Sequence, residues 1–169
     1  MKRVLMVIAQ EVFRDEEYAH PKEVLEERRA EVVTASVETG TCRGKLGMTA
    51  EATVRVSDAS ARDYDAVVFV GGAGASVYFD DPEAHALAHD TLESGRVLSA
   101  ICIAPSTLAH AGLLDGVRAT AFATQQEDLV AHGAIWTGEP VTVDGRIITA
   151  NGPEAARRFG EAIADAIGA

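Results

Sequence analysis

Ser99-Ala100-Ile101-Cys102-Ile103-Ala104-Pro105-Ser106 joins an apolar run, Val97 to Ile101, to a segment that Pro105 opens and Gly112 stops. An apolar run, a turn of small residues and a proline-led helix make a strand-turn-helix unit, and a cysteine in that turn is held above the strand end. The expected geometry is a nucleophile elbow, with strained backbone at Cys102 and a helix N-terminus aimed at its sulfur. Orphan amides and the helix dipole favour a thiolate, so the expected pKa shift is downward. The competing reading makes Cys102 a small buried hydrophobe.

The rest of the chain repeats this grammar. Val4 to Ala9 is a continuous apolar strand, Glu11 to Glu17 leads into an amphipathic helix through about Arg29, and Glu31 to Ala35 is a second strand. That is a βαβ unit, which implies a right-handed crossover and a parallel sheet. Ala66 to Val70 is another buried strand ending in Gly71-Gly72, followed by a helix from Pro82 to Glu93 with Gly95 as its stop. Thr41 to Val56 reads as a small hairpin or edge excursion, Val117 to Ala121 as a strand and Gln126 to Ala131 as a helix. Val141 to Asp144 and Arg146 to Ala150 form a hairpin turning at Asp144-Gly145, and Pro153 to Ile167 closes the chain as an amphipathic helix. The fold class is α/β: one domain over 1–169, a three-layer α/β/α sandwich around a mostly parallel, flavodoxin-like sheet. Ligands in such sheets bind beyond the carboxyl ends of the strands, here the loops beginning at Gln10, Gly71 and Ile101.

Composition narrows the function. Fifteen basic against 26 acidic residues give a formal charge of −11, with no basic cluster longer than two residues, so nucleic acid is not an expected partner. No apolar run approaches the ~20 residues of a membrane-spanning helix, so no membrane association is expected. Met1 to Val4 reads as the start of a strand and not as a signal peptide, which makes the expected location cytoplasmic. The two cysteines, Cys42 and Cys102, lie far apart without ligands at metal spacing, so neither a disulfide framework nor a structural metal is expected.

The candidate site is assembled from three loops. Gly71-Gly72 lets backbone approach a ligand closely, and the amides of Gly72 and Ile103 would face an oxyanion developing beside the sulfur. Gly72-Ala73-Gly74-Ala75-Ser76-Val77 fails as a dinucleotide fingerprint, because Val77 stands where the third glycine belongs. Among the acids of Phe13 to Pro21, Asp15 and Glu16 read as solvated dipole partners, while Glu17 would lean on the sulfur and be pushed toward its neutral form. His20 and Tyr78 are further pocket candidates; the other histidines read as solvated or capping residues, and Cys42 as incidental.

With VVFVGGAG, FRDEEYAHP, AICIAPSTLAHAGLLDG and ITANGPEAA in order, the chain resembles the ThiJ/PfpI superfamily over Met1 to about Ile167. That group includes the parkinsonism-associated deglycase, glutathione-independent glyoxalases and an archaeal intracellular protease, on a core shared with class I glutamine amidotransferases. The resemblance implies Cys102 as nucleophile, Glu17 as the protonatable carboxylate four residues before Pro21, Gly72 and Ile103 as oxyanion amides, and a homodimer. The chain departs from the protease-like members, which carry a histidine where Ile103 stands, and from deglycase-like members with a histidine on a later strand, where this chain has Phe122. Without that imidazole amide hydrolysis lacks its proton donor, whereas aldehyde chemistry needs only a nucleophile and one acid/base. The leading expectation is a cofactor-free glyoxalase or deglycase acting on reactive small-molecule carbonyls such as methylglyoxal, or on damaged protein side chains. The alternatives are a redox-sensing stress-response or chaperone-like protein with Cys102 as its oxidisable thiol, and a small amidase or cysteine peptidase.

Overall fold

The computed structural model describes residues 1–169. In chain order the elements are β1 (Arg3–Val7), β2 (Glu11–Phe13), α1 (Asp15–Glu27), β3 (Glu31–Ser36), β4 (Gly40–Gly44), β5 (Thr49–Ala52), β6 (Val54–Arg55), β7 (Ala66–Phe69), α2 (Pro82–Glu93), β8 (Val97–Ile101), α3 (Pro105–His110), β9 (Arg118–Ala119), α4 (Gln126–Ala131), β10 (Ile135–Trp136), β11 (Val141–Asp144), β12 (Ile147–Ala150) and α5 (Ala156–Ile167).

Seven strands form the central sheet in the order β11-β12-β8-β7-β1-β3-β6, all neighbours parallel except the β11/β12 hairpin. The five middle parallel strands follow the doubly wound flavodoxin-like order, with the reversal between β1 and β7. Their apolar runs have a physical cause: β7 and β8 are buried at every residue, because helices cover both faces of the sheet. Alternate side chains of β1 feed different cores, Leu5 and Val7 one and Val4 and Met6 the other. The first core is closed by α2, α3 and α4, the second by α1 and α5. The two are nearly equal in size, 23 and 22 buried residues, as expected for a sandwich with no solvent-facing sheet surface.

Helix boundaries follow local chemistry. Asp81 caps α2 by accepting from the amides of Glu83 and Ala84, and Gly95 takes the left-handed conformation just past its end. In α1 a proline lies inside the helix: Pro21 has no amide to give the Glu17 carbonyl, and it is buried where Gly160 of α5 lets the two helices touch. A Cβ on Gly160 would stand 2.8 Å from the Pro21 Cα.

Two expectations change. Glu11–Phe13 is not the approach to a helix but β2, a short strand beside β4 in a separate three-stranded sheet with β5. The strand expected over 117–121 shrinks to two residues, paired only with β10. The short helix expected between Pro105 and Gly112 is present as α3, six residues long, so its dipole is weaker than a full helix would supply.

Candidate active site

Cys102 sits one residue beyond β8 with φ of 64°, the left-handed region that a non-glycine residue occupies at a cost. Backbone hydrogen bonds hold it there. Its amide donates to the Ala150 carbonyl of β12 at 2.9 Å, and its carbonyl accepts from the Phe122 amide at 2.8 Å. The sulfur is thus lifted above the carboxyl ends of β7 and β8, where the elbow reading placed it, and remains partly open to solvent.

Glu17 reaches the same point from the first turn of α1 and is completely enclosed. Neither carboxyl oxygen has a hydrogen-bond partner in good geometry, and the polar group set against it is the Cys102 thiol. Burial pushes the Glu17 carboxyl up to about 7, and the nearby sulfur and Arg14 only partly offset it. Gly71 makes the meeting possible: a Cβ there would run into Glu17 Oε1 and stand 2.6 Å from the Cys102 Cβ. The next glycine serves backbone. Gly72 takes φ of 102°, and a Cβ on it would strike the chain at Val12, Phe13 and Arg14.

The thiol pKa moves against expectation. Burial, followed by the charge and hydrogen bond of Glu17, pushes Cys102 up to about 12, although the amides of Gly72 and Ile103 pull it down. A short helix and two amides do not outweigh burial beside a carboxylate. The two groups therefore titrate as a pair that gives up one proton near 7 and holds the other to about 12.

Gly72 and Ile103 do place their amides at the sulfur. Tyr78 does not belong to the site: it is buried edge-on against Phe69, and its hydroxyl donates to the Ile8 carbonyl at 2.8 Å. His20 lies exposed on α1, with no hydrogen bond to any group of the site. Asp15 is not a solvated dipole partner either; it is buried and accepts from the amides of Leu46 and Met48, both at 2.9 Å, tying the β4–β5 turn to α1. Sequence reasoning passed over Arg14, whose amide donates to the Gly71 carbonyl and whose guanidinium clasps Glu16 at 3.1 and 3.0 Å. Glu16 holds the guanidinium protonated, and the charges of Glu17 and Cys102 reinforce this. Arg14 is the cation nearest the pair in sequence, and the FRDEE string offered its signal. A cavity of about 340 Å³ lined by Phe122, Trp136, Asn151 and Gly152 among others adjoins the elbow only through Phe122, and neither Cys102 nor Glu17 lines it. The largest cavity lies at the opposite edge of the sheet, around Arg62, Asp90 and Arg96 near the starts of β7 and β8.

Comparison with known proteins agrees with this geometry. The DJ-1/PfpI family profile matches residues 2–166. An uncharacterized Methanocaldococcus jannaschii protein, MJ0967, is 39% identical over 168 residues, covering 98% of this chain and 82% of its own. Deglycase PH1704 of Pyrococcus horikoshii is 30% identical over 151 residues, covering 89% and 90%. The crystal structure of a ThiJ/PfpI domain protein from Brachyspira murdochii superimposes with a TM-score of 0.96 at 30% identity, covering 98% of this chain and 96% of that one. Elbow, enclosed carboxyl, glycine pair and whole-chain similarity all lead to one conclusion: the chain belongs to the DJ-1/PfpI family.

Proposed function

We propose that the chain is a cofactor-independent enzyme for reactive carbonyls, a glyoxalase or deglycase, with Cys102 as nucleophile and Glu17 as acid/base. The observation that carries this reading is the enclosed Glu17 carboxyl, raised to about 7 and set against the Cys102 thiol. Once the pair has lost its first proton it holds one proton and one negative charge. That remaining proton lies between the thiol and the Glu17 carboxylate, and passing it from sulfur to Glu17 exposes the thiolate, which the amides of Gly72 and Ile103 face.

Methylglyoxal serves as the type substrate. The thiolate adds to the aldehyde carbon, the carbonyl π pair becomes an alkoxide facing the Gly72 and Ile103 amides, and the Glu17 proton neutralises it as a hemithioacetal. Glu17, now a carboxylate, takes the hydrogen from that carbon as a proton, leaving an enediolate, and returns it to the neighbouring carbon while the hydroxyl proton passes to the neighbouring oxygen, which leaves the thioester of a hydroxy acid. Water then cleaves the thioester, giving lactate and restoring the thiol and carboxyl pair. The similarity to a protein named deglycase supports the same class of chemistry.

Lactate release from methylglyoxal is the test. Cys102→Ser and Glu17→Gln should each lower kcat/KM by at least about a hundredfold, and the wild-type rate should rise with pH through about 7, where the pair gives up its first proton. Turnover unchanged in Cys102→Ser would end the proposal.

The same geometry supports a second reading, a redox sensor, because a carboxylic acid against the sulfur would hydrogen-bond a sulfinate. Mild peroxide should then add oxygen to Cys102 and spare Cys42, which is fully buried; equal oxidation of both would remove that reading. Assembly as a homodimer belongs to the proposal. Val12 and Val77 are exposed on elements packed together beside the site, an apolar rim that a second copy would cover.

A further inference from the structure

A second cluster of ligand-type side chains lies where the end of α3 meets α4, and the proposed chemistry does not use it. His110 closes α3, while Asp128 and His132 are one helical turn apart on α4 and its cap. His110 Nε2 stands 2.8 and 3.0 Å from the two Asp128 carboxylate oxygens, and His132 Nδ1 stands 3.4 Å from Asp128 Oδ1. The ligand atoms of all three residues lie within 4.8 Å of one another. Ligands bound tetrahedrally at ~2.0–2.1 Å are separated by roughly 3.3 Å, so a small inward adjustment around a cation suffices. The two imidazole rings stack with centroids 4.7 Å apart and planes 25° from parallel.

The far side of His110 supplies an independent indication. Its Nδ1 is 2.7 Å from Asp80 Oδ1, the partnership by which a carboxylate fixes the tautomer and direction of a metal-binding imidazole. With Nδ1–H donated to Asp80, a neutral His110 turns the lone pair of Nε2 toward the Asp128 carboxylate. Two lone-pair donors at that separation repel, so a positive charge must sit between them, either a second proton on the ring or a cation. The three side chains are 20%, 31% and 37% exposed, so the position is reachable from solvent.

We propose that His110, Asp128 and His132 form a binding site for a late first-row divalent cation, with zinc as the type and Asp80 as the orienting partner of His110. Two imidazoles and a carboxylate suit zinc, copper or nickel and not magnesium or calcium, and three protein ligands leave a fourth position for water. Binding displaces the proton shared between His110 and Asp128 into solvent. His132 exchanges its 2.8 Å hydrogen bond to the Asp128 carbonyl for the cation.

Calorimetric titration of the full chain with zinc chloride, with magnesium chloride in parallel, tests this. Wild type should bind a single equivalent of zinc and show no magnesium heat. His132→Gln, an exposed substitution that spares the core, should weaken zinc at least about a hundredfold, and Asp80→Asn about ten- to a hundredfold. Cys102→Ser should bind as wild type does, and cobalt bound to either protein should lack thiolate-to-metal charge-transfer absorption. Absence of stoichiometric zinc binding, unaltered affinity in His132→Gln or Asp80→Asn, or binding that disappears with Cys102 would each overturn the proposal.

Discussion

Glu17 is the residue on whose environment the proposed chemistry rests, and its cost to folding is measurable. Its carboxyl is raised from 4.5 to about 7 in the fold, so the folded state prefers the neutral acid. The sign follows directly: below 4.5 both states are protonated and nothing is lost, while between 4.5 and about 7 the unfolded chain ionises first and stability falls. Glu17→Gln removes this dependence. Relative to wild type the variant should gain roughly 2 to 3 kcal/mol between pH 5 and pH 8, read as the change in the difference between urea midpoints. Comparing two pH values cancels the fixed penalty of burying an amide. A difference that stays flat with pH would show that Glu17 is already ionised in the fold. The position of Glu17 was legible in the sequence, because an acid in the first turn after a buried strand has a short path to the sheet end. The direction of the Cys102 shift was not, since it depends on how completely a neighbouring element encloses the sulfur.

At the scale of elements, Gly71 is the joint between β7, α1 and the elbow. Its backbone lies outside the left-handed region, so alanine is tolerated by the chain and refused only by the space it would enter. Gly71→Ala, whose Cβ would also stand 2.8 Å from the Ile101 carbonyl oxygen, should lower stability, displace the Glu17 carboxyl from the sulfur and lower kcat/KM roughly a hundredfold, as misplacement by about 1 Å does. Retained activity with a shifted thiol titration would show that the two groups need not touch. The elements that sequence marked well are those whose apolar runs or caps leave little choice: β1, β7, β8, α2 with Asp81 and Pro82, and the hairpin at Asp144-Gly145. β2 escaped because Glu11-Val12-Phe13 has three residues and an acidic start, and its pairing with β4 is a long-range event that local pattern does not announce. Asp15 escaped for the same reason; its partners, Leu46 and Met48, are 31 and 33 residues away.

For the molecule as a whole, the two cores close both faces of the sheet and leave the carboxyl edge to the proposed site. Val12 carries φ of 63°, costly for a β-branched side chain, and is partly exposed beside Gly72; Val77 is 53% exposed. If a second copy covers them, wild type should elute as a dimer and Val77→Asp should shift toward monomer with its fold intact, as light scattering would show. A monomeric wild type would leave that rim for another purpose. Enclosure has one more consequence, which is isotopic. The Glu17 carboxyl has no solvent contact of its own, and an adduct on Cys102 would cover the opening beside it. The hydrogen carried between adjacent carbons should then have little time to mix with the medium. Lactate made in heavy water should keep mostly protium at its second carbon, and complete deuteration there would mean that water enters the pair faster than the enzyme turns over.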